Sequence, residues 1–403
     1  MKAISPLNEF KEENLNEFVF FPVLLFLGTR LILILTLPLQ GLVGYGDLPN
    51  YIQLAQLPGW PFINYWVEFP PVFPFLNTFI YHIVGGVEPN YDYLSIFFLS
   101  IIDAINLVLF IKIAALTQGI KSNQWRITAY LVILIALSYA WWYFDSIAVL
   151  GMMLGIYLFL KERDILAGSA IAFGGLVKLF PLVLLVIPWC YYSKIRALKV
   201  TITTVVIMIV VYGGFYLASP EFTRASIVSQ FKKGSWETIW ALVDGNYQTG
   251  SFGSYAERLV PEAATETNRN PAFIDPLWTL LVFGGIGLWI FFKSKDKGKI
   301  QPIIFAGLTL SILFLWSPGW SPQWVLFLIP LILLTLPRNE ALLITGTLIL
   351  VNILEWPVLL SRGYFNDLWV TIVLRTFIFV LLAITWFAKL KPNSRADMAI
   401  NQQ

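Results

Sequence analysis

The apolar positions of this chain fall in long runs. They predict about twelve spanning helices, near residues 19–40, 93–112, 126–144, 146–160, 164–177, 180–193, 198–218, 276–293, 300–316, 322–337, 341–357 and 368–388. A helix crossing the hydrocarbon needs roughly 17–25 such residues unless its neighbours let it be shorter. Two intervening segments are long, 41–92 and 219–275. The first holds an apolar stretch, 71–86, too short to span comfortably, which reads as a helix lying in the interface or dipping into it. The second is rich in Gly, Ser, Thr, Asn and Glu. Within it Trp236, Ile239, Trp240 and Val243 recur at helical spacing after Ser235, a suitable N-cap, so a short helix resting on the membrane is expected. The prediction is an all-α fold: a polytopic transmembrane helical bundle with external juxtamembrane helices, one integral-membrane domain over residues 1–403.

The cations set the orientation. Lys112, Lys121 and Arg126 share a side with Lys161 and Arg163, and with Lys194, Arg196 and Lys199. Lys293, Lys295, Lys297 and Lys299 join them, as do Arg338 and Lys389, Lys391 and Arg395. With Lys2 and Lys11, most of the 27 Lys and Arg then mark one face, so both termini are expected to be cytoplasmic. Two consequences follow from that parity. Segment 41–92 must begin and end outside. Residues 164–193 must form a hairpin of two short helices turning at Lys178-Leu179-Phe180-Pro181, because one continuous helix would bury Lys178 and reverse every later loop. Pro181 suits a helix start. Helices of roughly 14 residues rise only about 21 Å, so the turn is expected to lie sunken below the outer surface.

Composition removes whole classes. The chain is 58% hydrophobic, 16% aromatic and 13% charged, with mean hydropathy +0.72. That is too apolar for a soluble domain of this length or for a nucleic-acid binder. The single cysteine, Cys190, excludes an internal disulfide, a cysteine-based metal site and haem attachment. Met1–Glu17 lacks the apolar stretch and cleavage site of a signal peptide, so the first helix is expected to insert and remain. The short loops favour an archaeal or bacterial cell membrane.

The candidate chemistry lies outside the lipid. Asp47, in Gly44-Tyr45-Gly46-Asp47-Leu48-Pro49, is a candidate general base whose pKa burial would raise; the plainer role is a turn-forming aspartate. Glu68, before Pro70-Pro71, could orient a sugar hydroxyl or support Asp47, or could simply begin a helix. Asp145 ends the aromatic run Trp141-Trp142-Tyr143-Phe144 in an expected external turn, where it could bind substrate hydroxyls. Lys178, an ammonium in a sunken turn, needs an anion, and a lipid-linked phosphate at the outer leaflet would supply one. His82 could hydrogen-bond a phosphate or sugar, although with no second His it makes a poor metal ligand. Arg30 and Asp103 stand at similar depth in the first two spans, where a structural ion pair is expected; Arg375 is a third charge inside a span. Trp316-Ser317-Pro318-Gly319-Trp320-Ser321-Pro322-Gln323-Trp324 forms a rigid external turn suited to covering a groove or anchoring at the interface.

Together these features resemble the GT-C superfamily of integral-membrane glycosyltransferases. They come nearest to the polyprenyl-phosphate-mannose-dependent mannosyltransferases of glycosyltransferase family 87 and to GPI mannosyltransferase I. The resemblance is carried by Asp47-x-x-x-Tyr51 and by Glu68-Phe69-Pro70-Pro71, where Tyr is commoner at the second position. It continues through Trp142-Tyr143-Phe144-Asp145-Ser146, Lys161-Glu162-Arg163-Asp164, Ala167-Gly168, Lys178-Leu179-Phe180-Pro181 and Ser321-Pro322-Gln323-Trp324 with Pro330. It covers residues 19–340. It implies a polyprenyl- or dolichyl-phosphate sugar donor approaching from the outer leaflet and a lipid-linked or surface glycan acceptor.

On this reading Asp47 takes the acceptor proton and Lys178 steadies the departing phosphate. Tyr51, Glu68 and Asp145 position the sugar, and inverting transfer proceeds without metal or cofactor. The competing class is a transporter or lipid flippase, which would favour midplane charges and repeated halves with broken helices.

Overall fold

The computed structural model describes residues 12–119, 123–231, 233–250, 253–265, 271–294 and 298–390. Of the orientation-setting cations, Lys2, Lys11, Lys121, Lys295, Lys297, Lys391 and Arg395 lie outside the described residues. Among those described, the elements are helical and there is no β-strand.

The chain opens with α1 (Glu12–Thr36), followed by the short α2 (Leu39–Val43) and α3 (Leu48–Ala55), then α4 (Val72–Ile83). A long α5 (Glu88–Gln118) leads to α6 (Gln124–Ala136), the single turn α7 (Tyr139–Trp142), α8 (Asp145–Leu160) and α9 (Asp164–Val177). A 3-10 turn at Phe180–Leu185 enters α10 (Val186–Tyr191), and α11 (Lys194–Ala218) follows. The second polar segment carries α12 (Pro220–Phe231) and α13 (Ile239–Val243). Then come α14 (Pro276–Lys293), α15 (Gln301–Trp316), α16 (Val325–Thr335), α17 (Arg338–Ile353) and α18 (Leu368–Lys389).

Among the described residues, six helices are long and apolar enough to cross a membrane: Phe18–Thr36, Glu88–Gln118, Lys194–Ala218, Pro276–Lys293, Arg338–Arg362 and Phe365–Lys389. The other predicted spans are helical but shorter. Burial explains the difference. α16 is buried at every position, so neighbouring helices, not lipid, surround it, whereas α1, α11 and α14 expose most of their apolar surface. The fold is a helical membrane bundle.

The expected hairpin is present. Lys178 is extended (φ −157°, ψ 138°) and ends α9. Across the turn, a Cβ on Gly174 would lie 2.9 Å from Pro181, and one on Gly175 would lie 2.6 Å from Leu182. The returning arm ends beside the start of α9: Tyr192 donates to the Phe159 carbonyl at 3.4 Å, and Arg196 pairs with Asp164 at 2.9 Å. α8 packs closely on α9 through small residues, Gly151 and Gly155 facing Gly174 and Ile171, and a Cβ on Gly151 would fall 2.4 Å from the Gly174 Cα. Small residues four apart let membrane helices approach this closely.

Several expectations change. The run at 126–144 stops at Ala136, and Arg30 of α1 supports that stop. Its guanidinium donates to the Leu134 carbonyl in the last turn of α6 and stacks 3.8 Å over the Trp141 ring. Arg30 and Asp103 thus stay beyond salt-bridge distance and interact only through their fields, while Asp103 bonds to Ser146 and Asn106. In the second polar segment, α12 is a helix that the composition concealed. α13 is capped by Thr238, which accepts from the Ala241 amide at 3.2 Å, while Ser235 donates to Asp244 at 2.5 Å. Trp236 is not laid on the membrane but buried against Gly250 and Gly319. Trp320 and Trp324 are likewise buried, packed on Phe314.

Contacts sort the connections into two ends. At one end Gln118 and Arg126 hold the carbonyls of Leu333, Leu334 and Leu336, and Gln301 reaches the Lys389 carbonyl at 3.4 Å. At the other, Trp141 and Trp142 donate to Leu42, Trp356 to Tyr45 and Tyr255 to Asn50.

The close α8–α9 contact yields the first prediction. Gly151→Ala should destabilise by about 1–3 kcal/mol through overpacking, read as a lower unfolding temperature in detergent. Gly213→Ala on α11, which meets open space, should not. Equal effects would contradict this packing.

Candidate active site

The placement of Asp47 begins with aromatic packing. The Gly44–Gly46 turn lies directly on the Trp142 ring, so close that a Cβ on Gly46 would sit 2.6 Å from that side chain. The indoles of Trp141 and Trp142 both donate to the Leu42 carbonyl, at 3.0 and 2.8 Å. This clamp delivers Asp47 to the N-cap position of α3. An aspartate there ordinarily accepts a backbone N–H; Asp47 makes no such bond and accepts instead from the Asn50 side chain at 3.1 Å.

The carboxyl borders a cavity of about 380 Å³ also lined by Tyr51, Glu68, Tyr143, Glu237, Arg258 and Gln323. Burial pushes its pKa up to about 6. The Asn50 bond opposes that rise, Asp145 and Glu68 add to it, and Lys178 subtracts.

The other expected residues divide into those brought together and one left apart. Tyr51 is buried beside Asp47, its ring edge-on to Phe73 at 4.7 Å and to Phe144 at 5.8 Å. Glu68 lines the cavity but is not free to hold a sugar unaided, because Arg258 grips both of its oxygens. Burial alone would raise the Glu68 carboxyl; the Arg258 pair overrides this and holds it below its ordinary value. Asp145 is not in an external turn. It is the first residue of α8, fully buried, and meets the Lys178 ammonium at 2.5 Å.

Lys178 is enclosed by the rings of Trp324 at 5.0 Å, Phe144 at 5.3 Å and Phe180 at 5.7 Å. The Asp145–Lys178 pair stands behind the cavity wall, yet Asp47 feels both charges. His82 is the one left apart. It is exposed on α4 against Trp60 and Tyr81, away from the cavity.

Four charged residues complete the region and were not singled out from the sequence. Arg258 lies in the second polar segment, where nothing in its local pattern marks it. Lys233 places its ammonium 5.7 Å from the Trp236 ring and 5.9 Å from Phe69. Burial pushes its pKa down to about 7; Glu68 opposes this, while Lys178 and Arg258 add to it. Glu237 and Glu355 form a third group with Arg375. An acid within the predicted span 341–357 was a legible signal for Glu355, because such residues rarely stand there without a partner. Among the described residues no three His, Cys, Asp or Glu side chains converge to hold a metal ion.

A polar cavity bordered by Asp47, Glu68 and Glu237 in a helical membrane bundle has the form of a membrane enzyme's active site. Residues 94–318, more than half of the chain, match the sequence model of glycosyltransferase family 87. The chain belongs to glycosyltransferase family 87, and the protein is a membrane glycosyltransferase. No curated protein and no solved structure gives a significant match. The matched segment contains Asp145, Lys178, Lys233, Glu237 and Arg258. It begins after Asp47, Tyr51 and Glu68, whose place in the site rests on geometry.

The buried Glu68–Arg258 pair can be tested alone. Arg258→Met strands a buried carboxylate and should cost about 3–5 kcal/mol, measured by unfolding in detergent. The double variant Glu68→Gln/Arg258→Met should recover much of that loss, and a double variant as unstable as Arg258→Met would contradict the pairing.

Proposed function

We propose that this cavity transfers a sugar, mannose in the simplest case, from a polyprenyl- or dolichyl-phosphate donor to a hydroxyl of a lipid-linked or surface glycan. The observation that carries the reading is the position of Asp47. It is an uncapped carboxyl at the polar cavity, raised toward neutrality and within the field of Lys178, in a chain of a glycosyltransferase family. A base whose pKa lies near working pH combines the ionised form with useful proton affinity.

The step is a single displacement. Asp47 takes the proton of the acceptor hydroxyl, whose oxygen bonds to the anomeric carbon from the face opposite the phosphate. The bond from that carbon to the phosphate oxygen breaks, and its electron pair leaves on the polyprenyl phosphate. The anomeric configuration inverts. Lys178 and Lys233 offset the charge gathering on the phosphate, the kind of electrostatic stabilisation that dominates such chemistry. No metal is called for, because the phosphate leaves as a stabilised anion.

Glu68 and Asp145 act chiefly by positioning Arg258 and Lys178, and Tyr51 walls the sugar site beside Asp47. An apolar groove of about 800 Å³ runs between α10, α11, α14 and α15, with Trp189, Leu281, Leu288 and Phe305 on its walls. Such a groove suits a prenyl chain. The basic loops favour cytoplasmic termini and a cavity on the outer face of the cell membrane.

The test is transfer of radiolabelled mannose from polyprenyl-phosphate mannose to candidate glycolipid acceptors by the purified protein. Asp47→Asn should lower turnover by about 10²–10⁴-fold in a protein at least as stable as the wild type, since it removes a half-buried charge with no cation in contact. Retained turnover would overturn the role. Because the base works deprotonated and Lys233 works charged, the wild-type rate should rise as pH increases through about 6 and fall again as Lys233 loses its proton near 7. A limb near the ordinary aspartate value of 3.8 would contradict the raised carboxyl.

A further inference from the structure

Glu237 has no part in the chemistry above, yet it lines the same cavity. It is 1% exposed and follows Trp236, whose backbone is pinned by bonds to Pro318 and Trp320. Its own backbone is left-handed, at φ +53°. For a residue other than glycine that costs on the order of 1–3 kcal/mol and persists only where the surroundings enforce it. The enforcing group is Arg375 of α18, which donates to the Glu237 carbonyl while pairing with Glu355. Glu355 in turn comes from a π-helical turn, Leu354–Leu359, that extends α17; such turns recur at functional sites.

One guanidinium thus holds the Glu355 carboxyl and the Glu237 backbone carbonyl, and leaves the Glu237 carboxyl without a cation of its own. The Glu237 side chain meets Glu355 and Thr249, and Thr371 stands on the Glu355 side. Tyr139 and Tyr143 of the α7 region are the other titratable groups that sense the pair, and Tyr143 senses Asp47 as well. Glu237 Oε2 and Glu355 Oε1 are both buried with no donor among the described residues. Two ionised carboxylates in contact repel strongly in a dry site. One proton held between them removes the excess charge and supplies the missing donor.

We propose, building on the transfer reading above, that Glu237 is a sugar-binding residue of the cavity. It shares one proton with Glu355 and presents the resulting carboxyl to a hydroxyl of the donor sugar. A neutral carboxyl can donate one hydrogen bond and accept another, which matches a hydroxyl, and it adds no second negative charge near Asp47. The donor sugar, and not the acceptor, is the partner because Trp236 and Glu237 line the same cavity and Lys233 lies 5.7 Å from the Trp236 ring. A phosphate held at Lys233 brings its attached sugar to the adjoining residue.

The test uses full-length protein and a short-chain polyprenyl-phosphate mannose. Glu237→Ala should raise the donor KM about tenfold with a smaller change in kcat. Glu237→Gln, which mimics the neutral acid, should stay within about threefold of wild type. An unchanged KM in a folded Glu237→Ala protein would overturn the sugar contact. A Gln variant as impaired as the Ala variant would overturn the shared proton.

Infrared spectra above neutral pH give a readout independent of turnover. The wild type should show a protonated-carboxyl stretch that Glu237→Gln removes, and a spectrum unchanged by that substitution would overturn the proton sharing. A wild type that transfers no mannose sinks the transfer reading and the sugar contact with it, while the infrared result still decides the shared proton.

Discussion

Compensation of buried charge is the constraint on which this end of the bundle depends. An ionised group taken out of water is costly unless a partner of opposite sign is already in place, and the region around the cavity meets that requirement three times. Lys178 and Asp145 pair where α9 ends and α8 begins. Arg258 and Glu68 pair across the two polar segments. Arg375 and Glu355 pair between α18 and the end of α17. The Arg258 pair ties segments 190 residues apart, and the other two tie neighbouring helices, so the bonds that neutralise charge also brace this end of the bundle. Asp47 and Glu237 are the exceptions, because among the described residues no cation meets either carboxyl. Glu237 leans on a second acid, whereas Asp47 has only an amide neighbour and is placed to take a proton from substrate.

The aromatic residues do the mechanical part of the work. Trp142 fixes the turn before Asp47, Trp236 fixes the strained position of Glu237, and Trp324 with Phe144 and Phe180 encloses Lys178. Rings are suited to this because they bury large area with few rotatable bonds, and their faces favour a nearby cation. Trp and Tyr at membrane interfaces are usually read as belt anchors. Here many of them turn inward.

Much of this was legible before any coordinates, because membrane insertion leaves strong marks on a sequence. Runs of apolar residues located the helices, and the parity of basic loops forced a hairpin at Lys178 that the chain does form. Asp47, Tyr51, Glu68, Asp145 and Lys178 were drawn together from separate loops by their sidedness and by the family resemblance. What escaped detection depends on tertiary partners. The stop of α6 at Ala136 follows from an arginine on another helix. The grip of Arg258 on Glu68 spans 190 residues of chain, and no local periodicity marks it. His82 stood out because it is the chain's lone histidine, but rarity of residue type carries no information about which face of a helix points inward. Glu355 was visible as an acid within a span and went unread.

The account turns on whether the surroundings of Asp47 keep its carboxyl basic. The most direct measurement is titration of that carboxyl by carbon-13 NMR in protein labelled at aspartate and held in lipid nanodiscs, with the resonance assigned by its loss in Asp47→Asn. A midpoint at about 6 is the predicted result. A midpoint at the ordinary aspartate value of 3.8 would mean that Asp47 is an open loop residue and that the proposed base is elsewhere.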